Sequence, residues 1–206
     1  MSKSVKFIQA IASRRTIYAL SKKPIISDPQ ILSIVRETVK HAPTAFNMMS
    51  SRVILLLGTD HDTYWQETVP NALRRVTTPE KAEKGIARLG QFARGIGTVL
   101  FFEDGSVIKG MQENIPNYAD RFPQWSEHAS GMAQIYTWTA LELEGYGVNL
   151  QHYGNLTTPD VRGKYGLSGE WDLKAEMVFG YPEGGPGEKN FLPDEQRVIA
   201  FGSSEI

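Results

Sequence analysis

Two adjacent arginines, Arg14 and Arg15, stand between Ser13 and Thr16 in the stretch IASRRTIYALSKKP. Two planar guanidiniums with a hydroxyl beside them, next to apolar Ile17 and Leu20, make a candidate anion cradle at the edge of a core. Arginine suits this because its fork grips a phosphate bidentately. The same residues also fit an ordinary charged helix end, since cations are favoured near C-terminal carbonyls. Val5, Phe7, Ile8, Ile11 and Ala12 recur just upstream at helical spacing. On these four residues alone both readings stay open.

Little else in the chain carries chemistry of its own. Gly95-Ile96-Gly97 lacks the third glycine of a dinucleotide fingerprint and precedes a strand instead of following one. No P-loop is present. His41, His61, His128 and His152 have no metal-ligand spacing, so no metal is expected. His61, flanked by Asp60 and Asp62, reads as a helix-start residue. Serine-hydrolase and HExxH patterns are absent. With no cysteine, disulfides, Fe–S clusters and thiolate zinc sites are excluded. An enzyme of this composition would leave its chemistry to a bound cofactor.

Net charge is −1, so no global field recruits nucleic acid or a membrane surface. No apolar run approaches the ~20 residues of a membrane span. The N-terminal apolar stretch is too short and too interrupted for a signal peptide, and a cytoplasmic protein is expected.

The elements that must position these residues follow from periodicity and punctuation. Ser27-Asp28-Pro29 is a helix start, with Ile31, Leu32, Val35 and Val39 on one face and Pro43 as the stop. The loop Pro43–Ser51 leads into Arg52–Gly58, a continuous apolar run that reads as a strand covered on both faces. Residues 60–78 and 79–95 read as two helices broken at Thr78-Pro79. Thr98–Phe102 is a second buried strand, followed by a helix near 107–114 and an aromatic loop over 116–125. Residues 126–144 form the longest helix, apolar nearly all round, and therefore central or packed against another chain. Val148–Tyr153 reads as a short strand. A helix starting at Thr158-Pro159-Asp160 is ended by Gly166. From Trp171 to Phe179, Trp171, Leu173, Ala175, Met177 and Phe179 alternate with Asp172, Lys174, Glu176 and Val178, a period-2 strand. Arg197–Phe201 is read as a last strand. The order is helix-heavy without regular βαβ alternation. It predicts one layered α+β domain over residues 1–206.

Four stretches in order resemble the nitroreductase family of FMN-dependent flavoproteins: SRRTIYAL, HAPTAFNMMSSRVILLLG, GYGVNLQHYGNL and GYPEGGPGEKNFLP. The run FPQWSEHASGMAQIYTWTALELEGYGVNLQHY is most similar to the family's short fungal and bacterial branch. The resemblance implies a helix–sheet–helix fold with a mostly antiparallel central sheet, a homodimer, and FMN as cofactor. It places Arg14 on the flavin phosphate, with Arg15 and Thr16 beside it, and Lys189 as a second cation there. Arg197 either joins them or is a surface charge. Tyr18 stands where many members carry a lysine, so Arg15 becomes the candidate for the flavin's pyrimidine edge. Pro43, Thr44 and Asn47 match the loop that reaches the partner subunit's flavin, but Met49-Ser50-Ser51 depart from the family's usual Gln-Pro-Trp. Gln151, His152 and Tyr153 fall where main-chain N–H groups face flavin N5. Tyr118, Phe122 and Trp125 either wall a substrate pocket by stacking or pack as core.

The implied activity is hydride transfer from NADH or NADPH to FMN, then reduction of a small nitroaromatic, quinone or similar electrophilic acceptor, in a ping-pong cycle. A flavin-binding redox sensor or regulatory module without nicotinamide turnover fits the same residues.

Overall fold

The computed structural model of the protein describes residues 3–202. One antiparallel sheet runs through it. Strand β2 (Ser51–Leu57) pairs with β3 (Gly97–Asp104), and β3 pairs with β5 (Trp171–Pro182). The far edge of β5 takes two short strands end to end: β4 (Gly147–Gln151) along Gly180–Glu176, and β1 (Leu20–Ser21) along Pro182–Tyr181.

Helices cover both faces, which gives the expected α+β layers. On one side lie α2 (Asp28–His41) and α7 (Phe122–Leu143), burying Ile31, Val35, Ala133 and Leu141 against Val99, Phe101, Met177 and Phe179. On the other lie α3 (Gly58–Thr63), a π-helical turn (Tyr64–Thr68), α4 (Val69–Val76), α5 (Pro79–Ala93) and α8 (Gly154–Tyr165). Their core is Tyr64, Trp65, Leu89, Phe92 and Val161 against Leu100, Phe102 and Val178. Helix α1 (Val5–Ser13) lies outside these layers with no buried residue, and α6 (Gly105–Asn114) follows β3. Among the described residues no helix is long and apolar enough to cross a membrane.

Local chemistry explains most boundaries. Helix α2 starts where Ser27 N–H donates to Gln30 Oε1 at 3.0 Å, with Pro29 in the first turn. The Gly166 that ends α8 is left-handed, φ 62°.

Four expectations change. Arg197–Phe201 forms no strand; Val198, Ile199 and Phe201 are exposed chain, because a β-branched run needs a free sheet edge beside it. The aromatic stretch 116–125 is a short turn followed by helix, and α7 begins at Phe122 with Pro123 in its first turn, where a missing N–H costs nothing. Helix α8 begins at Gly154, and Pro159 lies inside it. Finally, the period-2 alternation expected along Trp171–Phe179 is interrupted. Register shifts between Phe101 and Phe102, which pair with Ala175 and Leu173, so Lys174 is an extra residue in a bulge. The bulge puts Leu173 in the same core layer as Val178. Because α8 and the π-helical turn cover this face, Glu176 is fully buried.

Candidate functional site

Beyond α1 the chain runs extended and is knitted to β4. Thr16 bridges Val148 in parallel, Ile17 N–H donates to Val148 O at 2.9 Å, and Asn149 Nδ2 donates to Ile17 O at 3.0 Å. Gln151 turns its amide back onto Asn149 Oδ1 at 2.9 Å. Glu183 N–H, just past β5, donates to Ala19 O at 2.8 Å and brings the Gly-rich segment alongside.

These two segments enclose a cleft of about 560 Å³, with Arg14, Arg15, Thr16 and Tyr18 on one side and Gly185, Gly187, Glu188 and Lys189 on the other. The Arg14 guanidinium lies over the Trp138 ring of α7, 4.5 Å from its centroid, a cation–π contact that holds it at the cleft. Arg15 anchors at both ends: its N–H donates to Glu142 Oε1 at 2.8 Å, and its guanidinium donates to Gly187 O. No ion pair among the described residues engages Arg14, Arg15 or Lys189. Burial pushes the Glu142 carboxyl above its ordinary value, against the pull of the Arg15 N–H and the two arginine charges. Three cations around one cleft, none held in an ion pair among the described residues, form a donor set that fits a phosphate-bearing ligand such as FMN.

A second feature is the turn Gln151–Gly154 between β4 and α8. His152 is exposed, while the Tyr153 ring packs edge-on against Trp65 in the core layer, centroids 5.8 Å apart. Tyr153 therefore turns its phenol away from the turn's outer side, and its N–H is taken from within by the buried Glu176 carboxyl, at 2.9 Å to Oε2. A Cβ on Gly154 would lie 2.0 Å from Leu173 O, so only glycine lets the turn sit this close to β5.

The third feature is the loop after α2. Phe46, Asn47 and Met49 all have positive φ (53°, 51° and 51°), an unusual density of left-handed non-glycine backbone. Thr44 Oγ1 accepts from Met49 N–H at 3.1 Å, and Ser50 and Ser51 hydroxyls both donate to buried Glu103. The two serines that depart from the family pattern thus pin the loop to β3. Phe46 packs on Tyr118, Phe122 and Trp125 at 5.7–5.9 Å. Phe122 is fully buried and supports this aromatic wall from beneath; Phe46 and Tyr118 carry its exposed surface.

The structure thus gathers Arg14, Arg15, Thr16, Tyr18 and Lys189 into one cleft and ties Gln151–Tyr153 to it through β4. Pro43, Thr44 and Asn47 lie apart, on the loop beside the aromatic wall. Arg197 lies on exposed chain outside the cleft lining. Sequence reasoning missed Trp138, Glu142, Gly154 and Glu176. Only Gly154 had a signal, as a glycine closing the GYGVNLQHYG stretch.

The model of the nitroreductase family matches residues 11–181. The chain belongs to the nitroreductase family. It is 33% identical over 196 residues to the nitroreductase FRM2 of Saccharomyces cerevisiae, covering 93% of this chain and 96% of that one. Nitroreductase CinD from Lactococcus lactis, solved in complex with chloramphenicol, is 39% identical, with a TM-score of 0.87 over 95% of this chain and 99% of that one. The same protein in complex with 4-nitrophenol gives 38% and 0.86 over the same coverage. Family membership and fold make the chain a nitroreductase-fold protein of the flavin oxidoreductase type.

Proposed function

We propose that this nitroreductase-family chain is a cytoplasmic, homodimeric FMN oxidoreductase that uses NADH or NADPH to reduce small nitroaromatic, quinone or similar electrophilic acceptors in a ping-pong cycle. The observation that carries the proposal is the convergence of Arg14, Arg15 and Lys189 on one cleft.

Bound there, FMN would supply the redox chemistry, taking hydride from the nicotinamide and passing electrons to the acceptor in separate half-reactions. The residues position and stabilise. Arg14, held over Trp138, and Lys189 would take the phosphate. Arg15, fixed by Glu142 and Gly187, sets a positive charge beside the ring system, where Tyr18 is neutral. From Val148, beside Thr16, to Gln151 the strand advances ~10 Å. That length would suit a ligand with its phosphate in the cleft and its rings at the turn, beside the main chain of Gln151 and His152.

The Pro43–Asn47 loop shares no lining residue with the cleft of its own chain, which suits service to a second copy's cleft. The apolar groove of Phe7, Ile11, Ile135, Tyr136 and Leu143 along α1 and α7 is the face such a copy would cover. Phe46, Tyr118 and Trp125 form an aromatic surface for flat acceptors. The Lactococcus lactis relative solved with 4-nitrophenol supports that acceptor class.

Purified protein should be yellow, bleach anaerobically with NADH or NADPH, and recolour with a nitroarene. Bound FMN that neither nicotinamide reduces would point to a binding module instead, and a colourless protein that FMN does not stabilise would remove the flavin altogether.

A further inference from the structure

Glu176 lies in the middle of β5, fully buried, and no cation pairs with it among the described residues. An isolated buried carboxylate is costly unless its oxygens are occupied, and these are. Tyr153 N–H donates to both, at 3.1 Å to Oε1 and 2.9 Å to Oε2, and Tyr64 O–H donates to Oε1 at 2.9 Å. Tyr153 is the residue that caps α8. Glu176 therefore does from the sheet what a capping-box glutamate does from within a helix.

The network continues. Tyr64 Oη is 3.0 Å from Thr157 Oγ1, and Thr157 donates to Tyr153 O at 3.1 Å. Both ends of this chain of hydroxyls close on the main chain of Tyr153. Two proton arrangements are open to it, and only the protonated one puts a proton in all three contacts. With Glu176 ionised, Tyr64 donates to it. With Glu176 protonated, its own proton points at Tyr64 Oη, Tyr64 turns its proton to Thr157, and Thr157 keeps its bond to Tyr153 O. The π-helical turn places Tyr64 on Glu176 and Trp65 on the Tyr153 ring as consecutive residues, and such turns recur at functional sites.

The groups facing Glu176 are few. They are Tyr64 from the π-helical turn, Tyr153 and Thr157 at the start of α8, Gln151 opposite it on β4, and apolar Leu100 opposite it on β3. Arg88 of α5 acts on the Tyr153 phenol. Burial pushes the Glu176 carboxyl up to about 7, with the Tyr153 and Tyr64 bonds pulling the other way.

We propose that Glu176 is a positioning residue for the Gln151–Gly154 turn: by exchanging one proton with water it switches the grip on the Tyr153 main chain and so tunes the turn's hydrogen bonding to bound FMN. The role toward FMN rests on the flavin reading above; the switch itself does not. An ionised carboxylate behind the turn opposes extra negative charge in front of it. Reduction of FMN then favours proton uptake at Glu176, and by linkage the flavin's potential falls more steeply with pH through neutrality.

The first test needs no flavin. In the purified full chain stripped of FMN, the Tyr153 amide resonance should titrate with a midpoint near neutral pH. Glu176→Gln should flatten that titration. Tyr64→Phe, which removes a bond that favours the carboxylate, should move the midpoint upward by a measurable fraction of a pH unit. A Tyr153 amide that is flat from pH 5 to 9, or that titrates equally in Glu176→Gln, overturns the switch. Should Glu176→Gln not fold, the wild-type and Tyr64→Phe titrations decide the question. The second test is spectroelectrochemical. With FMN bound, wild type should show the extra slope and Glu176→Gln a single slope. Identical profiles overturn the tuning of FMN. A chain that binds no FMN but shows the amide titration defeats the flavin reading while leaving the switch standing.

Discussion

The cationic cleft and the Gln151–Gly154 turn lie at two points of one strand, yet they are built on opposite principles. The cleft is made of side chains: Arg14, Arg15 and Lys189 are partly or fully open to solvent, and none of them is held in an ion pair among the described residues. Glu142 and Glu188 stand near these cations without forming an ion pair with them. The turn is made of main chain. Its nearest side chains point elsewhere, Gln151 to Asn149 and Tyr153 to Trp65, and its shape depends on Gly154 in front of Leu173 and on Glu176 behind. A site borne by side chains is cheap to fold and easy to erase. A site borne by main chain is bound up with the core that holds it, so changes there should alter stability and function together.

The sharpest way to break this contrast is Arg14→Ala with Lys189→Ala. Each charge-assisted contact to a phosphate contributes about 1.5–3 kcal/mol, so FMN affinity should fall about 100-fold or more by calorimetry. The fold should persist, with circular dichroism unchanged. Unfolding of the double variant, or undiminished flavin binding, would contradict the division.

A pH experiment comes next in size. His61 is buried, its Nδ1 2.8 Å from Thr98 Oγ1, and burial holds it down to about 4 from 6.5. The unfolded chain therefore carries the extra proton between those values, and His61 makes the native state more stable as pH rises from about 4 to 6.5. Glu176 acts in the opposite sense. Its folded value of about 7 lies above 4.5, so the folded chain holds the extra proton and stability falls as pH rises from 4.5 to about 7. Each effect is about 3 kcal/mol, and in their shared window they offset one another. Measured against wild type, denaturation midpoints of His61→Gln should fall more with rising pH, and those of Glu176→Gln should rise more. Slopes parallel to wild type in both variants would show that neither group is held as described.

The smallest expected effect belongs to Gly154→Ala. The new Cβ must push α8 or the turn away from Leu173 O, at about 1–3 kcal/mol for overpacking. Unlike the cleft double variant, it should lower the unfolding midpoint and weaken FMN binding together. A variant as stable as wild type would mean the close approach is dispensable.

The sequence disclosed the layers, most elements and the side-chain half of the site, because those leave local marks. Ser27-Asp28-Pro29 announces α2, the apolar run Val53–Leu57 announces β2, and adjacent arginines after a helix draw attention unaided. The main-chain half left little trace. A bulge at Lys174 has no signature in an alternating strand, and the covering of the Glu176 face by α8 and the π-helical turn is a tertiary contact no local pattern reports. Val198-Ile199 read as a strand because β-branched residues favour one, but pairing needs an open edge that a local pattern cannot report. The Arg14 contact with Trp138 joins residues more than a hundred positions apart, and spacing says nothing about such pairs.

The central claim is that Arg14 and Lys189, facing each other across the cleft, form a phosphate site. The most direct measurement is the affinity of the flavin-free protein for FMN against riboflavin, which has the same rings and ribityl chain but no phosphate. FMN should bind about 100-fold more tightly or better, consistent with two or more charge-assisted contacts. Equal affinity for the two flavins would contradict the claim.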